Sequence, residues 1–133
     1  MEIHIGVSCH IDSCLVVWCS KKQVTIATST TVTEYFAMYE ATTEAVCLCN
    51  LLNDLQIPQK GLTLLREDNQ TAIKLTENKT LHKHTKHIDV KYKYTHKEQE
   101  RGTICVEYVP SEENLADFFT KPLARVQFVD VCK

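Results

Sequence analysis

Apolar and β-branched residues are concentrated in two runs near the beginning of the chain. These runs cover residues 5–11 and 14–19, and the polar pair Asp12-Ser13 separates them. Short runs of this composition bounded by polar residues predict two strands joined by a short turn. A Thr-rich connection is expected to follow, from residue 24 to residue 33.

The clearest helical pattern comes after this connection. Apolar or small side chains recur there in steps of three and four, at Tyr35, Met38, Ala41, Ala45, Leu48, Leu52 and Leu55. Thr31 and Glu34 have the spacing of a capping box at the start of a helix. Pro58 disfavours a helical residue directly before it. The pattern therefore predicts a long helix that begins near Thr31 and ends before Pro58.

Shorter elements are predicted in the second half of the chain. Residues 62–66 are typical of a strand, residues 68–78 of a short helix, and residues 103–109 of a strand that Pro110 ends. A last helix is expected to begin at Ser111 and to stop at Pro122.

The segment between the short helix and the last strand fits two interpretations. Ile88, Val90, Tyr92 and Tyr94 alternate with polar residues, which is typical of a strand. Ile88 and Tyr92 are also one helical turn apart, and the charged run before Gly102 resembles the end of a helix. We favour the helix.

The predicted order of elements is β-β-α-β-α-α-β-α, without an internal repeat or a second domain. An antiparallel pair followed by alternating strands and helices predicts an α/β (α+β) fold with a mixed sheet covered by helices. We expect one domain over residues 1–122 and a C-terminal tail over residues 123–133.

Composition narrows the class of protein. The chain is 44% hydrophobic and 24% charged, which is typical of a globular protein, and it contains no apolar run of membrane-spanning length. Seven cysteines occur without a C-x-x-C pair, and the first residues do not resemble a secretory signal. We therefore expect an intracellular protein, cytoplasmic or nuclear, with reduced cysteines and no association with membranes.

Positive charge is concentrated in one segment although the net charge is −2. Six lysines and four histidines lie between Lys79 and Lys97, against the single acid Asp89. Such a segment could attract the phosphates of a nucleic acid without sequence preference. It could equally form an ordinary solvated helix face, so both interpretations stay open.

Several stretches, taken together, resemble the ribonuclease H-like domain of copia-type retrotransposon Pol polyproteins, in the same order and at similar spacing. They are Trp18–Gln23 leading to Ser29–Tyr35, then Glu67–Ile73, Thr85–Asp89 and Tyr108–Pro122. The resemblance implies a five-stranded mixed sheet with helices on both faces. It also implies cleavage of the RNA strand of RNA–DNA hybrids during reverse transcription, by four carboxylates that hold two Mg²⁺ ions.

The resemblance assigns the catalytic and metal-binding roles to Glu34, Asp68 and Asp117. The family's first strand and its first catalytic aspartate have no counterpart, because Gly6 already matches the start of the second strand. Asp12 is the nearest substitute, but it lies in a predicted turn. We therefore expect an N-terminally truncated ribonuclease H-like fold with little or no nuclease activity.

The implied partners are an RNA–DNA hybrid or another nucleic acid and the reverse transcriptase region of the parent polyprotein. The expected nucleic-acid contacts are Lys83, Lys86, Lys91, Lys93, Asn69 and Gln70.

Ordinary structural roles also exist for the three acids. Glu34 could complete the capping box, Asp68 could cap the short helix, and Asp117 could be a half-exposed helix acid. The alternative function is accordingly a non-catalytic nucleic-acid or protein-binding module domesticated from a retrotransposon.

Overall fold

The computed structural model describes residues 4–11, 14–22, 30–77 and 86–116. Its elements are β1 (His4–Ile11), β2 (Cys14–Lys22), α1 (Thr30–Asp54), β3 (Thr63–Glu67), α2 (Gln70–Glu77), α3 (Lys86–Glu100), β4 (Ile104–Tyr108) and a 3₁₀ turn (Ser111–Glu113). The mixed α/β class is confirmed, and these elements follow the predicted order as far as β4. The ribonuclease H-like arrangement of the strands stays a prediction.

Helix α1 begins at Thr30, within one residue of the predicted start near Thr31. Residues 30–33, which were also placed in the Thr-rich connection, are helical. The helix ends as predicted before Pro58. Gln56 adopts a positive φ of 62°, and the Ile57 N–H donates to the Leu52 carbonyl at 2.8 Å, which closes the last turn.

The strands form two separate two-stranded sheets within the described residues. β1 and β2 are antiparallel with Val7 opposite Cys19, whereas β3 and β4 are parallel with Leu65 opposite Val106. The expected single mixed sheet is therefore not observed in this part of the chain. Residue alternation predicts which face of a strand is buried, but it does not specify which edges pair, and this explains the difference.

Helix α1 connects the two sheets. It packs against β1, β3, α2 and α3. On the side of the β1–β2 sheet, Val7 and Phe36 form the centre of a buried cluster. The partly buried residues packed against this pair are Cys9, Cys19, Val32, Ala37 and Ala41. Lys21 of β2 adds an ion pair to Glu40 of α1, with 2.8 Å between Nζ and Oε2.

The ambiguous basic segment is a helix from residue 86 to residue 100, so the interpretation that we favoured is confirmed. Tyr92 and Thr95, which are three residues apart, both turn towards the protein interior, and Thr95 is fully buried. This spacing fits a helix face and not alternate residues of a strand. Gly102 lies two residues after the end of the helix and adopts a positive φ of 73°, as is common where a helix terminates.

The region after β4 differs from the expected helix. Ser111–Glu113 form a 3₁₀ turn, and the Asn114 N–H donates to the Ser111 carbonyl. Residues 117–122 of the predicted helix and the predicted tail at 123–133 lie outside the described residues. In the described part of the chain, no helix combines the length and apolar character needed to cross a membrane.

Candidate metal centre

Three carboxylates meet where β3 ends beside the first turns of α1. Glu67 is the last residue of β3 and Asp68 follows it directly, while Glu34 lies near the beginning of α1. One carboxylate oxygen from each residue lies within 4.8 Å of the other two. Elements far apart in sequence therefore place three hard oxygen donors in one small volume.

The structure brings together two of the three acids predicted from the sequence. Glu34 and Asp68 belong to the cluster, whereas Asp117 lies outside the described residues, as does the substitute Asp12. The assignment of these acids as metal ligands stays a prediction.

Glu67 is the member of the cluster that the sequence interpretation did not identify. Leu64 and Arg66 are exposed along β3, whereas Leu65 is half-buried and Glu67 is buried, with 7% of its surface exposed. The alternation of this strand would have placed Glu67 on the inward face with Leu65. A buried acid next to Asp68 was therefore recognisable in principle.

Burial also changes the acidity of Glu67. Its removal from water raises the pKa from the ordinary value of 4.5 to about 8. A hydrogen bond from the Asn69 backbone N–H to Oε1, at 3.0 Å, favours the charged form and acts against this shift. The negative charges of Glu34 and Asp68 raise the pKa further. Glu67 is thus mainly protonated at pH 7 when no cation is bound.

Asn69 fixes the beginning of α2 next to this cluster. Its Oδ1 accepts hydrogen bonds from the N–H groups of Thr71 at 3.0 Å and Ala72 at 3.1 Å, which is the geometry of an N-cap. The alternative role of Asp68 as the helix cap is therefore wrong, since the next residue provides the cap. The nucleic-acid contact of Asn69 stays a prediction, and its Oδ1 is already engaged by the helix cap.

The other expected nucleic-acid contacts have different surroundings. Lys93 and Gln70 are exposed. The Lys91 ammonium lies 4.6 Å from the ring centroid of Phe36 and 4.8 Å from that of Tyr39. These cation–π contacts hold Lys91 against α1. Lys83 and the side chain of Lys86 lie outside the described part of the structure.

Sequence comparisons relate the chain to retrotransposon proteins, whereas no protein-family model and no solved structure matches it. The retrovirus-related Pol polyprotein from transposon TNT 1-94 of Nicotiana tabacum is 37% identical over 116 residues, which are 87% of this chain and 9% of that protein. The Pol polyproteins from transposons RE2 and RE1 of Arabidopsis thaliana are 34% and 33% identical, each over 111 residues. These residues are 84% of this chain and 8% of each polyprotein.

The chain thus spans less than a tenth of the length of these curated relatives, but most of its own length takes part in each match. It therefore belongs to the Pol-derived sequences of copia-type retrotransposons and matches one short region of their polyproteins.

Proposed function

We propose that the chain is a retrotransposon-derived ribonuclease H-like domain that binds Mg²⁺ at Glu34, Glu67 and Asp68 and takes an RNA–DNA hybrid as its ligand. The supporting observation is the approach of three carboxylate oxygens to within 4.8 Å of one another. The order of the motifs and the similarity to Pol polyproteins support the same proposal.

The donor set fits a magnesium ion. Mg²⁺ prefers hard oxygen ligands, keeps several waters, and is usually held by only one or two carboxylates. Three acids packed together repel one another when charged, and a divalent cation would relieve this repulsion. When bound, Mg²⁺ would supply Lewis-acid activation of a water and stabilisation of a leaving oxygen.

Nuclease activity is proposed to be weak. Among the described residues, Glu34, Glu67 and Asp68 form a single group of clustered donors, which suits one ion and not a pair of ions. A two-ion reaction needs carboxylates that hold both ions in fixed positions. The loss of such positioning lowers transition-state stabilisation by orders of magnitude.

The decisive experiment combines metal binding with cleavage. Mn²⁺ serves as the probe for the proposed Mg²⁺ site, and we expect the purified chain to bind it in calorimetry. We expect Glu34→Gln and Asp68→Asn each to weaken this binding at least tenfold. Glu77→Gln, a substitution of an exposed acid at the end of α2, serves as the matched control and should leave binding unchanged.

Two results would contradict this proposal. Failure of the wild-type chain to bind Mn²⁺ would exclude the metal centre. Rapid Mg²⁺-dependent cleavage of a labelled RNA–DNA hybrid that disappears in Asp68→Asn would show an intact nuclease and refute the proposed impairment.

The exposed side of α3 favours a second candidate function, a non-catalytic nucleic-acid-binding module. Lys93 and Lys97 are exposed and one helical turn apart. Such lysines would bind phosphates with a strong dependence on salt. Hybrid binding that falls steeply with salt but survives substitution of Glu34 and Asp68 would favour this module over the metal-dependent domain.

A further inference from the structure

Helix α3 links the two segments that carry the clustered acids. Tyr35, the residue after Glu34, stacks on Tyr92 with 5.9 Å between ring centroids and an interplanar angle of 26°. Tyr92 in turn stacks on His96, with 5.9 Å between centroids and an angle of 22°. Three rings therefore form a continuous column that runs from α1 onto α3.

The far end of this column reaches α2. His96 Nδ1 lies 3.1 Å from the Thr76 carbonyl oxygen, near the end of α2. The same helix begins at Gln70, two residues after Asp68. The column thus spans from the residue after Glu34 to the helix that follows Asp68.

We propose that Tyr92 and His96 are positioning residues, which hold Glu34 at the correct distance from Glu67 and Asp68 for a divalent cation. This inference rests on the metal centre proposed above. Neither residue contacts the cation; both act through the elements that carry its ligands.

The physical reason is the strict geometry of small divalent ions. Mg²⁺ requires nearly ideal octahedral distances, so a small displacement of one carboxylate weakens its binding. Glu34 is carried by α1. Glu67 is the last residue of β3 in the β3–β4 sheet, and Asp68 comes directly after it. A slide or rotation of α1 against that sheet would change the distance between the two groups of ligands. Tyr35 is only 4% exposed, so its ring contact with Tyr92 opposes such a movement.

A neighbouring contact between the same two helices provides a matched control. Tyr94 packs edge-on against Tyr39 with 5.6 Å between ring centroids, one helical turn further from Glu34 along α1. Loss of the Tyr94 ring removes a similar amount of packing but leaves the Tyr35–Tyr92–His96 column complete.

The test measures Mn²⁺ affinity by calorimetry, together with thermal stability by circular dichroism. Tyr92→Leu is expected to weaken Mn²⁺ binding by about tenfold or more, as loss of supporting contacts around metal ligands does elsewhere. Tyr92→Phe should bind within about twofold of wild type. The Tyr92 hydroxyl has no hydrogen-bond partner in the described structure, so phenylalanine keeps the stacking contact. Tyr94→Leu should lower thermal stability and leave Mn²⁺ affinity unchanged.

A double substitution separates positioning from general packing. In a Glu34→Gln background, Tyr92→Leu should cause little further loss of Mn²⁺ affinity, because Tyr92 stacks directly on Tyr35, the neighbour of Glu34. An additional loss of the same size in that background would refute the inference.

The outcomes distinguish this inference from the proposed function. Wild-type protein that does not bind Mn²⁺ would overturn the metal centre itself. Wild-type binding with equal Mn²⁺ affinities for Tyr92→Leu and Tyr94→Leu would overturn only the positioning role. If Tyr92→Leu does not fold, His96→Leu interrupts the same column at its α2 end. Weaker Mn²⁺ binding by that variant supports the inference, and wild-type affinity refutes it.

Discussion

Replacement of Glu67 by glutamine should stabilise the metal-free protein. The folded state binds the proton of Glu67 more tightly than the unfolded state does, because burial raises the pKa from 4.5 to about 8. Stability is therefore lost as the pH rises from about 4.5 to about 8, and it changes no further above that range. Glutamine is uncharged and can still accept the hydrogen bond from the Asn69 N–H, so the variant should avoid this loss.

The size of the effect follows from the two pKa values. Each pH unit between them corresponds to about 1.4 kcal/mol of differential stability. At pH 7, which is about 2.5 units above the ordinary value, Glu67→Gln should gain about 3 kcal/mol. At pH 5 the gain should be only about 1 kcal/mol, because the unfolded state is then partly protonated as well.

Urea unfolding with EDTA at pH 5, 7 and 9 measures this difference. Glu77→Gln, with an exposed side chain, is the control and should show no comparable change with pH. Equal unfolding free energies for Glu67→Gln and wild type at pH 7 would refute the role assigned to burial. The same substitution should weaken Mn²⁺ binding, so that stability and metal affinity change in opposite directions.

Three further outcomes are expected. Asn69→Ala should destabilise the protein by about 1 kcal/mol in urea unfolding, because α2 loses its N-cap, whereas Asn69→Asp should stay close to wild type. Ile104→Ala should cost about 2–5 kcal/mol in the same measurement, since Ile104 is 2% exposed and its truncation leaves a cavity. Lys91→Met should lower thermal stability but leave the salt dependence of hybrid binding unchanged, whereas Lys93→Met should reduce that dependence.

Features encoded by local spacing were predictable from the sequence. The steps of three and four along α1 placed Tyr35, Met38 and Ala45 on its buried face, as observed. Pro58 and Gly102 marked the ends of two helices correctly, because their backbone preferences act locally. The motifs also selected Glu34 and Asp68, which the fold brings into one cluster.

Features that depend on tertiary packing were not predictable in this way. Residues 30–33 lay where the Thr-rich connection and the predicted helix overlap, and threonine has a low helix propensity. Burial of Thr33 and Val32 against the rest of the protein outweighs that preference. Further along α1, Thr42 is fully buried and donates to the Met38 carbonyl at 2.8 Å, which satisfies its hydroxyl inside a helix.

The acid Glu67 illustrates the same limit. Alternation along β3 indicated an inward-facing side chain, although glutamate is rarely buried without a partner. The hydrogen bond from the Asn69 N–H and the approach to Glu34 and Asp68 became evident only in three dimensions. Pairing of the strands into two sheets was also hidden, because local alternation carries no information about which edges meet.

The attachment of β1 and β2 has a consequence for local unfolding. Within the described residues, β1 packs mainly against α1 outside its own pair, and Lys21 of β2 forms an ion pair with Glu40 of the same helix. Elements with few external contacts open at lower free energy than the whole protein, and their amides exchange with solvent sooner. Amide protons of β1 and β2 should therefore exchange faster than those of β3 and β4. The carboxylate cluster, which α1 and β3 carry, would remain assembled while the strand pair opens.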